Sequence, residues 1–187
     1  SDEEIGVFHF LRQQIDRGAK KPQQCLADFI ASPEVGRDCL GAFAVTMGPA
    51  VETYASTFRD EGDDYSAIMV QALGDRLAEA LAEYMHKLVR DEWGYGKHEA
   101  IAAGGPVDDA YLEFLLKEKY RGVRPAIGYP ACPDHTEKAT LWKLLEVEEN
   151  IGATLTSSFA MHPASSVSGL YFGHPSARYF KVGKLAE

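Results

Sequence analysis

No run of about 18 consecutive apolar residues occurs anywhere in this 187-residue sequence, and no basic stretch leading into an apolar core opens it. The first absence argues against a membrane-spanning helix, the second against a secretory leader. Cysteine is scarce and scattered: Cys25, Cys39 and Cys132 form an odd set without a Cys-x-x-Cys pair. That pattern speaks against a disulfide framework or a structural zinc site, so a reducing cytoplasm is the expected setting. Positive charge is also short, 19 Lys and Arg against 28 Asp and Glu, for a net charge of −9. Nucleic-acid binding would need a basic stripe with interleaved aromatics, and none is visible; neither nucleic acid nor a membrane is an expected partner. A phosphate-binding loop, a dinucleotide fingerprint and a nucleophile elbow are missing too, as are internal repeats and any linker-like break.

What is there is ordinary globular composition, 45% hydrophobic and 25% charged, in a length that suits one domain. An acidic start leads to the apolar Val7-Phe8-His9-Phe10-Leu11, where His9 reads as a packed histidine rather than a ligand. Gly18-Ala-Lys-Lys-Pro22 is a turn. Cys39–Thr46 is short, apolar and stopped by Met47-Gly48-Pro49, which suits a buried strand. Asp63 or Asp64 can cap the next element, in which Met69, Ala72/Leu73, Leu77, Ala80/Leu81, Tyr84/Met85 and Leu88 recur every three to four residues. The spacing predicts one long central helix over about 64–91, with that row facing the core. Residues 97–108 read as a loop, and Asp108–Tyr120 as a second helix.

The chemistry concentrates in Arg124-Pro-Ala-Ile-Gly128-Tyr129-Pro130-Ala131-Cys132-Pro133-Asp134-His135-Thr136-Glu137-Lys138. Its prolines stiffen a loop that has few states to lose on binding. Gly128 permits close approach to the main chain, and Arg124 offers a planar charged fork for a carboxylate or phosphate. Asp134-x-x-Glu137 resembles a capping box opening a helix to about Asn150, closed by Gly152. After it, Thr154–Met161, Val167–Phe172 and Arg178–Val182 read as three strands of an antiparallel meander. The predicted fold is α+β, a single domain of helices packed on one antiparallel or mixed sheet.

The loop resembles the signature of the S-adenosylmethionine-binding activation domain of cobalamin-dependent methionine synthases. Leu11-Arg12-Gln13-Gln14, Cys25–Ala31, Gly41–Thr46, Asp63-Asp-Tyr65, Gly74–Glu83, Ser158–Met161 and Ser166–Phe172 fit the same family in order. The resemblance implies a domain over 1–187 that is shortened at both ends, without the family's N-terminal ligand-contacting aspartate. It implies Arg124 on the ligand carboxylate, and main-chain groups of Ala126, Gly128 and Tyr129 on the amino-acid end and the adenine edge. The Tyr129 ring would cover the ligand or attract its sulfonium. The aromatic pair Tyr179 and Phe180 is a family contact. On a strand only one of the two can face a given pocket, and Tyr179 is the choice. Glu79 shares a helix face with Asp75 and Glu83, which by itself reads as a solvated acidic face; the family places that glutamate at the ligand.

No residue is expected to be catalytic. Glu83-x-x-His86 has a di-iron spacing, but the further motif such a site requires is missing. The implied function is reductive methylation that restores methylcobalamin within a methionine-synthesising methyltransferase. Cobalamin would be held by another domain of the same enzyme, zinc by its homocysteine domain, and one electron supplied by a flavodoxin-type or other reductase. The alternative is a stand-alone S-adenosylmethionine sensor, or an accessory module of a split methyltransferase.

Overall fold

A computed structural model describes residues 3–15, 18, 21–102 and 109–184. After a 3-10 turn at Leu26–Phe29, its elements in chain order are β1 (Gly41–Thr46), α1 (Ala50–Asp60), α2 (Asp64–Glu92), α3 (Gly96–Ala102) and α4 (Asp109–Leu116). There follow α5 (Glu137–Leu144), α6 (Val147–Ile151), β2 (Thr154–Leu155), β3 (Met161–His162) and β4 (Ser166–Tyr171).

β1 and β4 pair antiparallel, with Gly41 opposite Tyr171 and Thr46 opposite Ser166. The segment before the proline-rich turn lies along the other edge of β4: Val123 and Phe172 exchange both backbone hydrogen bonds at 3.0 Å, and the Leu170 amide donates to the Pro125 carbonyl at 3.1 Å. Gly169 is obligatory in this ribbon, because a Cβ there would meet the Pro125 oxygen at 2.6 Å. Alternation along the strands divides the core in two. One face sends Phe43, Val45 and Tyr171 against Ala82 of α2. The other sends Leu170 into a cluster with Leu26, Ile127, Leu141, Val147 and Phe172. Leu26, Leu141, Leu170 and Phe172 are wholly buried, each contributing roughly 1.5–3 kcal/mol.

The α+β class and the long helix stand as expected, and the Asp63 carboxylate caps α2 by accepting from the Ser66 amide at 3.0 Å. The buried face of α2 matches the expected one only toward its end, where Leu81 and Met85 pack against the Phe43 and Tyr171 cluster; over the rest it differs. Ala67, Gly74, Ala78, Ala82, His86 and Arg90 point inward, while Met69, Leu73, Leu77 and Tyr84 are exposed. Closeness decides this: a Cβ on Gly74 would sit 2.7 Å from Val51 of α1, so small residues let α1 and the β1–β4 ribbon approach the helix axis. Residues 50–60, unassigned from sequence, form α1 directly after the Met47-Gly48-Pro49 stop.

Other boundaries move for local reasons. In Gly18–Pro22, the Lys21 amide closes the expected turn on the Gly18 carbonyl; Ala19 and Lys20 lie outside the described residues. The first part of the expected 97–108 loop is α3, and 103–108 are not described, Asp108 included. α4 stops at Leu116 because Glu118 is left-handed (φ 47) and the Lys119 amide closes on the Phe114 carbonyl. Likewise Glu146 (φ 46) splits the expected 134–150 helix into α5 and α6, with Gly152 (φ 68) ending the second.

The capping box is not formed. Asp134 accepts from the Thr136 amide at 2.9 Å, whereas Glu137 turns inward and accepts from the His9 amide at 3.0 Å and meets the His9 ring at 3.1 Å. The His9 ring is therefore exposed at the surface rather than packed. The meander is also corrected. β2 and β3 make a separate two-stranded ladder, β4 pairs with β1, and 178–182 runs as irregular chain. Val182 anchors that run, its amide donating to the Pro130 carbonyl at 2.9 Å and its carbonyl accepting from the Gln14 amide at 2.7 Å.

Candidate functional site

The proline-rich turn is held from below. The Gly128 amide donates to the Cys132 carbonyl at 2.7 Å, and the Cys132 amide returns to the Tyr129 carbonyl at 2.9 Å. Gly128 takes φ 101, and a Cβ on it would lie 2.3 Å from the His135 ring. His135 is itself fixed by the buried Lys138, whose Nζ lies 2.8 Å from Nδ1 and donates to the Phe159 carbonyl at 3.0 Å. Ile127, Ala131 and Cys132 are buried while Tyr129 faces solvent. Burial pushes the Cys132 thiol up to about 12, helped by the fields of Glu137 and Asp134.

Beside this turn lies a cavity of about 430 Å³, within the roughly 300–1,000 Å³ of small-molecule sites. The turn supplies Arg124, Pro125, Ala126, Tyr129, Pro130 and Ala131; the ribbon supplies Phe43 and Val167; α2 supplies Glu79; the terminal run supplies Tyr179, Phe180 and Lys181. Six of the seven residues singled out from sequence thus meet around one space. Gly128 does not line it; its amide and its Cα are committed to the turn. Both Tyr179 and Phe180 face the cavity, since irregular chain lacks the strict alternation of a strand. Phe43, Val167, Pro125, Pro130, Ala131 and Lys181 were not foreseen. For the two ribbon residues no local signal exists, because only the β1–β4 register brings them together.

Arg124 is mostly buried and strongly tied. Its Nη2 lies 2.6 Å from Glu83 Oε2 and 3.6 Å from Glu118 Oε1, its Nη1 donates to the Tyr120 hydroxyl, and its backbone amide donates to the Tyr179 hydroxyl at 3.2 Å. Desolvation works against its charge, and Tyr120 and Glu83 outweigh it, so the guanidinium stays above its ordinary pKa. The three α2 carboxylates have different partners, although Asp75 and Glu79 are both exposed. Asp75 accepts from the Ser165 hydroxyl at 2.8 Å, Glu79 lines the cavity, and Glu83 pairs with Arg124.

Behind the cavity runs a stack. Phe43 lies on Tyr171 (centroids 4.8 Å), Tyr171 on His86 (5.1 Å), and His86 meets the Tyr120 ring edge-on (5.1 Å). The Arg90 guanidinium lies over the Tyr120 ring, 3.8 Å from its centroid. Burial first, then the fields of Arg90 and Arg124, push His86 down to about 3, so the imidazole is neutral. No group of three or more His, Cys, Asp or Glu side chains placed to hold an ion exists among the described residues. No helix among them is long and apolar enough to cross a membrane.

Taken together, a permanent cation, an acidic side chain, aromatic rings and an apolar floor suit a zwitterionic ligand with a flat ring. The family model described as the activation domain of vitamin B12 dependent methionine synthase matches residues 1–187. Among solved structures, the chain is similar to the MetH reactivation domain in a crystal structure bound to AdoHcy, with 50% sequence identity and a TM-score of 0.83. That match covers 95% of this chain and 52% of the other, so this chain spans about half the length of the solved relative.

Proposed function

The chain belongs to the activation-domain family of vitamin B12-dependent methionine synthases, and we propose that its cavity binds S-adenosylmethionine and presents it for reactivation of the parent methyltransferase. The observation that carries this reading is the convergence of Arg124, Ala126, Tyr129, Tyr179, Phe180 and Glu79 on one cavity, in a chain half identical to a domain seen with AdoHcy.

The ligand supplies a methyl group on a sulfonium; the chain supplies position and field. The Arg124 fork carries five N–H donors; its hydrogen bond to Tyr120 and its ion pairs with Glu83 and Glu118 involve only the two terminal nitrogens, which leaves donors for the α-carboxylate. Main-chain groups of Ala126 and Tyr129 serve the amino-acid end and the adenine edge, with Gly128 shaping the turn that presents them. Glu79 accepts from ammonium or ribose donors. The Tyr129 ring, exposed at the rim, faces the cation, while Phe43, Val167 and Pro125 keep water from the buried side. Holding the methyl in one direction is the catalytic contribution, since a fixed near-attack geometry replaces a bimolecular encounter. On this reading no side chain of this domain reacts. Cobalamin is carried by the cobalamin-binding domain of the same enzyme, zinc by its homocysteine domain, and a flavodoxin-type or other reductase delivers one electron in the cytoplasm.

Calorimetric titration tests this directly. S-adenosylmethionine and S-adenosylhomocysteine should both bind, the charged form more tightly if the site reads the sulfonium. Arg124→Ala should weaken both at least tenfold, the loss of a charge-assisted contact. Undiminished affinity in that variant would remove Arg124 from the carboxylate role, and no heat with either ligand would overturn the reading.

A further inference from the structure

Arg124, Tyr120 and Glu83 form a closed triangle. Arg124 pairs through Nη2 with Glu83 Oε2 at 2.6 Å and donates through Nη1 to the Tyr120 hydroxyl, and that hydroxyl donates to the same Glu83 oxygen at 3.3 Å. Each corner is fixed by something else. Glu83 stands on α2, and its second oxygen is buried without a partner among the described residues, so its hydrogen bonding is spent inside the triangle. Tyr120 is buried, with the Arg90 guanidinium over its ring and the His86 ring perpendicular to it. Glu83, His86 and Arg90 occupy successive turns of one helix, all directed at the chain entering the proline-rich turn.

From this geometry we infer that Glu83 and Tyr120 are positioning residues: they hold the Arg124 fork in the orientation that recognises the ligand's amino-acid carboxylate. The inference rests on the reading of the cavity proposed above. An unrestrained arginine would lose rotamer freedom on meeting a carboxylate, whereas a guanidinium already clamped has lost it beforehand. Glu83 also keeps the buried charge compensated between ligands, which an isolated arginine at this depth would lack. A purely structural ion pair would stabilise the domain without discriminating among ligands. The clamp discriminates.

The discriminating ligand pair is S-adenosylhomocysteine, which carries the amino-acid end, and 5′-methylthioadenosine, which lacks it. The parent chain should prefer the first. Tyr120→Phe, which keeps the ring in contact with Arg90 and His86, should weaken S-adenosylhomocysteine roughly tenfold while changing 5′-methylthioadenosine less than twofold. Glu83→Gln should do the same, and gives a second reading if either variant melts too low to titrate. If both ligands weaken equally, or the parent's preference survives in both variants, the clamp is structural only and the inference fails while the cavity reading stands. If the parent chain binds neither ligand, the cavity reading fails and the inference with it.

Discussion

His86 lies flat against Tyr171, ring planes 15° from parallel, with neither imidazole nitrogen hydrogen-bonded among the described residues. A buried imidazole so placed resists protonation. In the unfolded chain it takes up a proton near pH 6.5, in the folded one only near 3. The unfolded state therefore binds the extra proton between those values, and stability falls as pH drops through the window, by about 1.4 kcal/mol per pH unit below 6.5. Urea midpoints at pH 7 and 5.5 should show that decline, and His86→Phe should flatten it; identical slopes would contradict the assignment.

Gly128→Ala should destabilise the chain by about 2–4 kcal/mol, combining a strained positive φ with a collision on the His135 ring. Thermal melts measure this. The same variant should lose ligand binding through distortion of the turn, whereas removing the ring with His135→Ala should restore part of the stability.

The face of α2 is testable by a pair of substitutions. Ala82→Leu, at a wholly buried position under the ribbon, should cost about 1–3 kcal/mol. Leu77→Gln, at an exposed one, should stay within about 0.5 kcal/mol. The reverse ranking in denaturant titrations would mean the helix presents its other side.

The three cysteines should separate by reactivity. Cys39 is exposed, while Cys25 and Cys132 are buried, and Cys132 holds its proton to about pH 12. Brief alkylation of the native chain followed by peptide mass mapping should label Cys39 alone, with the other two modified only after denaturation.

How legible all this was in the sequence depended on how local each cause is. The α2 start was readable because the Asp63 cap acts over three residues, and the proline-rich turn because its conformational limits are covalent. The inward face of α2 was not, because hydrophobic periodicity ranks Leu73 and Leu77 above Ala78 and Ala82, while the distance to α1 and the ribbon favoured the small side chains. Arg124 was recognisable as a charged fork in a stiff loop, and it does line the cavity, but its commitment to Glu83 and Tyr120 depends on where α2 passes. Tyr179 and Phe180 were placed on a strand by β propensity. The run instead answers to Pro130 and Gln14, which sequence reading could not connect to it.

The pairing of β1 with β4 carries a kinetic consequence. Phe43 and Val167 come from strands far apart in the chain, and the turn bearing Arg124 docks on the edge that β4 then offers. Contacts of such separation close slowly and late. With the ribbon open the pocket lacks a wall, so affinity for a nucleoside ligand should appear no sooner than the ribbon closes.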